Sequence, residues 1–154
     1  MFPIIKSALF LFFLILQNEC LANETIDQPL TLLVPFVNQQ VPQDTISKNG
    51  LSAIFKMRLH KWADDTAVTV FVLGDDNPMH KSFCKIILNV FPHQMRRVWD
   101  RLVFSGSGQA PIQLDNKEEM IEKLASTAGA IGYLRESDVT EGIKVLQVQS
   151  GSSQ

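Results

Sequence analysis

The chain has little cysteine and no excess of charge of one sign. Its 154 residues contain two cysteines, Cys20 and Cys84, which excludes a disulfide-rich scaffold. The formal net charge is −2, whereas nucleic-acid-binding domains are clearly basic, so we expect no nucleic-acid partner. His60, His80 and His93 lack the spacing of metal ligands, and neither a metal nor a cofactor is predicted.

An apolar run long enough to span a membrane is also lacking. Residues 8–16 (ALFLFFLIL) form a nine-residue run, too short for a hydrocarbon core of about 30 Å. Lys6 precedes this run, and small residues at positions 20 and 22 follow it. This arrangement predicts a signal peptide over residues 1–22 and export to the periplasm.

Lipoprotein processing at Cys20 is the alternative for the N-terminus, and it would attach the protein to the membrane through a lipid anchor. Residues 17–19 are polar and large instead of small, which argues against it. Cleavage after Ala22 would leave Cys84 as the sole cysteine, so no internal disulfide could form.

The rest of the chain alternates short apolar strands with amphipathic helices, which predicts one α/β domain over residues 23–150 and a disordered tail over residues 151–154. Strands are expected at residues 30–37, 67–73, 129–134 and 143–148. Helices are expected after the caps Ser47, Asn77 and either Asp115 or Asn116, and from Pro92. The side chains predicted to face the core from the second and third helices include Met79, Phe83, Ile86, Ile87, Val98 and Val103, whereas Arg96 is predicted to face largely outward.

Residues 67–83 (AVTVFVLGDDNPMHKSF) are the most informative segment. They predict a strand, a turn at Gly74, and a helix capped by Asn77 with Pro78 at its first position. Such junctions often hold anions, because free N–H groups and the helix dipole converge there. Asp75 and Asp76 oppose this, since they place negative charge at the junction.

Several segments, in this order, resemble the phosphate-binding proteins of ABC importers. Residues 54–70 are similar to the family's "IF-x-G…W-x-DG-x-P-V" pattern, and residues 129–133 (GAIGY) to its "GAIGY" strand. Residues 34–42 resemble its "VVVNPxNP" strand and turn, which makes Asn38 a candidate binding residue. The resemblance implies a periplasmic-binding-protein-like single lobe, with a small, mostly parallel sheet flanked by helices. Family members of full size have two lobes, with the anion clamped between them.

The resemblance also implies that the phosphate loop is degenerate. The family's loop resembles "R-S-D-G-S-G-T", in which arginine, serine, a glycine N–H and threonine meet the phosphate. Aligned on Phe83, the arginine position holds Leu73, and the Ser-Gly-Thr positions hold Asn77, Pro78 and Met79. Leucine cannot form a bidentate charged contact, and proline has no N–H to donate.

Two further groups of residues are candidate sites. Ser105, Gly106 and Ser107 could cradle an anion through backbone N–H groups, but an exposed connector is the simpler interpretation. His80 and Cys84 share a helix face and could form a Cys–His nucleophile, although a buried structural cysteine is the simpler interpretation.

Three functional hypotheses follow. The first is a non-enzymatic exported binding module that contacts a small anion or an extracytoplasmic protein partner through residues such as Asp75, Asp76, Asn77 and Met79. The second is a divergent phosphate or oxyanion carrier serving an ABC importer, with two lobes paired as a homodimer. The third is an enzyme built on His80 and Cys84. The first requires only the fold and the export signal.

Overall fold

A computed structural model describes residues 33–149. The predicted signal peptide, Cys20 and the predicted tail lie outside the described residues. Within residues 33–149, no helix has the length and apolar character needed to cross a bilayer.

The elements follow the predicted alternation of strands and helices. The strands are β1 (Leu33–Asn38), β2 (Thr45–Ser47), β3 (Thr69–Leu73), β4 (Ile112–Leu114), β5 (Ala130–Arg135), β6 (Ile143–Val145) and β7 (Gln147–Gln149). The helices are α1 (Lys48–Phe55), α2 (Pro78–Ser82), a π-helical segment (Phe83–Ile87), α3 (Pro92–Phe104), α4 (Lys117–Ser126) and a 3₁₀ turn (Glu136–Asp138).

Five strands form the main sheet in the order β4-β3-β5-β1-β6. β3 pairs in parallel with β4 and β5, whereas β1 pairs antiparallel with β5 and β6. Four strands therefore point the same way and β1 alone points the other way. β2 and β7 form a separate parallel pair. The α/β class with a mostly parallel sheet flanked by helices is confirmed.

α4 packs closely on β5. A Cβ atom at Gly132 would lie 2.5 Å from the Met120 sulfur, so any larger residue would displace the methionine side chain. The indoles of both tryptophans are buried, and each N–H donates to a backbone carbonyl: Trp62 to Gly129 and Trp99 to Phe55. Both tryptophans therefore tie distant segments together, as packing residues do.

Two predicted inward residues are exposed. Ile86 is 69% exposed because the second helix changes to π-helical geometry at Phe83, where the core-facing residues are Phe83, Cys84 and the following Leu88. Val103 is 50% exposed because it lies in the last turn of α3, beyond the inward-facing Met95 and Trp99. The helical period identified the elements correctly but placed these two side chains wrongly.

The prediction of one last strand at residues 143–148 was also wrong. The chain there forms two strands in different sheets, and Leu146 between them is fully buried. β2 and β4 have three residues each, too short for an alternation of apolar and polar residues to be recognised.

Candidate functional site

Residues 74–79, which join β3 to α2 and include the first two residues of α2, are called the strand-end turn. The N–H of Asn77 donates to the Gly74 carbonyl at 2.9 Å, which closes the turn. The Asn77 side chain accepts from the Met79 N–H at 2.9 Å, as predicted for a helix cap, and Pro78 occupies the first helical position. The cap thus occupies the Met79 N–H, which an anion bound at the start of α2 would need as a donor.

An ion pair lies at one side of the strand-end turn and joins it to α3. Arg96 on α3 donates from Nε and Nη2 to the two carboxylate oxygens of Asp75, at 2.9 Å and 2.8 Å. Nη2 also donates to Gln113 on β4 at 3.1 Å, and the guanidinium carbon lies 5.1 Å from the Trp99 ring centroid. Arg96 was predicted to face largely outward, yet its side chain is only 32% exposed because Asp75 draws it against the turn.

A buried hydrogen-bond chain lies beneath the turn. The Leu73 N–H donates to the Tyr133 hydroxyl oxygen at 2.8 Å, and this hydroxyl lies 2.6 Å from His80 Nδ1. When the Tyr133 hydroxyl donates its proton to His80 Nδ1, every polar atom of this hydrogen-bond chain has a partner. The proton of the neutral His80 imidazole then lies on Nε2. Nε2 lies 3.5 Å from the Cys84 sulfur and 3.8 Å from Asp75.

Burial and the ion pair set the protonation of this cluster. Burial lowers the pKa of His80, with Asp75 opposing the effect, so the imidazole is held neutral. Hydrogen bonds from Arg96 lower the pKa of Asp75, which stays ionised. Burial raises the pKa of the Cys84 thiol to about 12 and raises that of Tyr133 as well. A thiol with this pKa is protonated near neutral pH and is a poor nucleophile.

The remaining predicted residues of the turn differ in exposure. The Asp76 side chain is fully exposed and lies 3.7 Å from the Lys81 ammonium. Asn77 and Met79 are half-buried. Leu73, at the arginine position of the resemblance, is completely buried in the core.

Asn38 lies away from this group. It is the last residue of β1, which runs opposite to β3, so it lies at the other end of the sheet. Its amide donates to the Leu124 and Ala125 carbonyls at 2.8 Å and 2.9 Å, and its oxygen accepts from the Gln40 N–H. The side chain is 4% exposed and its polar atoms are engaged, so it caps the C-terminus of α4.

Ser105, Gly106 and Ser107 also lie away from the strand-end turn. They follow α3, nine residues beyond Arg96, which is about 13 Å along a helix axis. All three are exposed, and the two serine hydroxyls bond to each other at 2.7 Å. The structure therefore brings together Asp75, Asp76, Asn77 and Met79, but neither Asn38 nor this loop.

Arg96 and Tyr133 are the residues of the site that sequence reasoning missed. Arg96 neighbours the buried Met95 on α3 and so lies at the border of the inward face. Tyr133 lies within the buried strand β5 and has a hydroxyl that burial obliges to find a partner. Among residues 33–149, no cluster of three or more histidine, cysteine or acidic side chains could hold a metal ion.

Comparison with solved structures finds the same fold in phosphate-binding proteins. An ABC-type phosphate transport receptor from Vibrio cholerae matches with a TM-score of 0.59 and 16% identity, over 75% of this chain and 45% of its own. PstS from Borrelia burgdorferi matches with a TM-score of 0.59 and 18% identity, over 79% of this chain and 49% of its own. No protein-family model and no curated protein matches the chain.

These matches confirm the resemblance in fold. The chain spans about half the length of the solved structures it matches. At such low identity the likeness concerns the fold, and function has to be argued from the site.

Proposed function

We propose that this chain is a non-catalytic binding module, exported to the periplasm, that has the fold of part of a phosphate-binding protein without its phosphate chemistry. Its strand-end turn contacts a small ligand or an extracytoplasmic protein partner. The observation that carries the proposal is the bidentate pair between Asp75 and Arg96. This pair engages Arg96, the cation of α3 beside the turn, with the Asp75 carboxylate of the protein itself.

The residues around the pair support a degenerate phosphate loop. Leu73 is buried at the aligned arginine position, and Pro78 offers no N–H. Asp76 adds an exposed negative charge within the turn. A phosphate dianion at this place would meet repulsion and few donors.

The state of Cys84 supports a non-catalytic role. The sulfur is buried and its pKa is raised to about 12. His80 has its Nδ1 engaged with Tyr133 and lies 3.5 Å from the sulfur through Nε2. A nucleophile would need an accessible thiolate and an oriented base, which this buried pair does not supply.

A phosphate or oxyanion carrier assembled as a homodimer is the second candidate. It is favoured by the fold match to an ABC-type phosphate transport receptor and to PstS. Two copies could then supply the two halves of an anion clamp. Export through the predicted signal peptide applies to both candidates.

Ligand-dependent stability separates the two candidates. The mature protein is melted with and without phosphate and sulfate, and its mass in solution is measured by light scattering. A ligand at 100 times its dissociation constant stabilises by about 2.7 kcal/mol, which gives a clear shift in Tm. We expect no shift with phosphate. A shift of this size in a dimeric protein would establish the carrier and contradict the proposed function.

A further inference from the structure

A groove of about 410 Å³ opens beside the strand-end turn. One wall carries Lys81 and Lys85, from α2 and the π-helical segment, and another is Phe91–Pro92–His93 at the start of α3. Asp75 and Asp76 also line the groove. This surface combines cationic and apolar groups, which the turn itself does not.

The aromatic wall is exposed in an ordered arrangement. The Phe91 ring is 52% exposed and lies nearly parallel to the His93 ring, with centroids 5.7 Å apart and planes 17° apart. The Phe91 backbone N–H donates to the Gln94 side chain at 2.9 Å, which fixes the start of α3. An exposed phenyl ring held in this way is a ready contact surface for an apolar group.

The charges in the groove leave one cation without an acidic partner. Asp75 is neutralised by Arg96, and Asp76 lies 3.7 Å from Lys81. Lys85 takes part in no ion pair among residues 33–149, and its ammonium lies 5.9 Å from the Phe91 ring centroid. One negative charge would balance Lys85, whereas a doubly charged anion would keep one charge unbalanced.

The wall that carries Lys85 is π-helical. The Leu88 N–H donates to the Phe83 carbonyl, five residues earlier, which marks this geometry. Phe83 and Cys84 point to the core while Lys85 and Ile86 are exposed. Such segments make up well under 1% of residues and occur frequently at functional sites.

We propose that this groove binds a small carboxylate carried on an apolar or aromatic group, with the carboxylate at Lys85 and the apolar group on Phe91 and Pro92. The inference rests on the proposed function, because it names the ligand class of that binding module. It extends the binding surface from the strand-end turn to Lys85 and Phe91, which the sequence did not single out.

The test uses the mature, ¹⁵N-labelled protein isolated after export, titrated with 3-phenylpropionate and followed by NMR. We expect saturable shifts confined to the amides of the groove, with a dissociation constant of about 1 mM or lower. Acetate, which has the charge alone, and 3-phenylpropan-1-ol, which has the ring alone, should each bind at least about fivefold more weakly.

Three exposed-residue variants locate the binding. Lys85→Met and Phe91→Ala should each weaken phenylpropionate binding about fivefold or more. Lys48→Met is the matched control, because Lys48 is exposed on α1 and does not line the groove. Unchanged Tm values show that the variants fold. Equal binding by Lys85→Met and the unmodified protein would overturn the proposal.

Other outcomes separate this inference from the proposed function. Absence of shifts up to about 10 mM phenylpropionate overturns the groove proposal alone. Phosphate-dependent shifts of residues 74–79 would instead contradict the proposed function. A peptide of alternating glutamate and phenylalanine that binds the groove at least about tenfold more tightly than phenylpropionate would assign the groove to a protein partner and overturn the small-ligand proposal.

Discussion

Polar residues at the two ends of the main sheet differ in exposure and in hydrogen bonding. At one end Asn38 is 4% exposed, and its amide and its oxygen are bonded to backbone groups. At the other end Asp75 is paired with Arg96, yet its side chain remains 36% exposed beside an open groove. A polar residue that follows a strand is therefore not a binding residue by position alone. Binding is expected at Asp75, whose carboxylate keeps part of its surface accessible, and not at Asn38, whose polar atoms are engaged.

Replacement of Asn38 tests its structural role and has the largest expected effect. Asn38→Ala removes both donors to the α4 carbonyls and leaves these acceptors with fewer partners. We expect the free energy of unfolding to fall by about 2–3 kcal/mol, measured by urea denaturation. Asn38 would not be a structural cap if the loss were below about 0.5 kcal/mol while ligand binding changed.

The pH dependence of stability tests the buried cluster at the other end. Burial lowers the pKa of His80 below its ordinary 6.5, so the unfolded chain takes up a proton there that the folded protein does not. Stability should thus be fully present above about pH 6.5 and decrease below it, by at most about 1.4 kcal/mol per pH unit for one proton. Asp75, with its lowered pKa, stays ionised in this range.

Denaturation curves between about pH 5 and about pH 8 measure this slope. His80→Gln should flatten it, although the variant is less stable at every pH because it loses a buried contact. His93→Gln is the matched control, because it removes an imidazole at an exposed position. An unaltered slope in His80→Gln would show that another group carries the effect.

Replacement of Arg96 tests whether the pair closes the strand-end turn. Arg96→Met keeps the stem beside Trp99 but leaves Asp75 without its cation. Because the pair is about one-third exposed, we expect a loss of only about 1 kcal/mol in the free energy of unfolding at neutral pH. NMR titration should show the pKa of Asp75 rising.

Arg97→Met is the matched control, since Arg97 is exposed on the same helix. It should change stability by less than about 0.5 kcal/mol. A similar loss in both variants would mean that the Asp75 pair contributes nothing specific. The double variant Asp75→Asn with Arg96→Met should recover part of the loss, because no unpaired carboxylate remains.

The helix cap at Asn77 gives the smallest effect. Asn77→Ala removes the acceptor for the Met79 N–H, which should cost about 0.5–1 kcal/mol. The measured fall in Tm should be smaller than that of Asn38→Ala. A loss as large as that of Asn38→Ala would show that Asn77 is as important for stability as Asn38. The contrast between the two ends of the sheet would then be weakened.

Local structure was predictable wherever one or two neighbouring residues decide it. Ser47, Asn77 and Asn116 each accept a backbone N–H at a helix start, as the capping rule predicts. The β-branched residues before Gly74 likewise indicated strand β3. These features need only the chain within a few residues, so the sequence is sufficient for them.

The candidate site was predictable only in part. Asp75 and Asp76 were recognised as unusual residues at a strand end, but Arg96 was assigned to the wrong surface. Arg96 and Asp75 are 21 residues apart in the sequence. The helical period predicts on which face of a helix a residue lies, but it does not identify the residue that it contacts. Ile86 was misplaced for a related reason, because a π-helical segment shifts the inward face.

The sequence by itself determined the α/β class and the helix caps, since these depend on residue chemistry and short-range backbone bonding. Only the tertiary structure decided that Asn38 meets α4, that Tyr133 lies under His80, and that Lys85 faces Phe91 across a groove. The order and direction of the strands set these contacts. The antiparallel β1 sends Asn38 to one end of the sheet, while β3 and β5 carry Asp75 and Tyr133 toward the other.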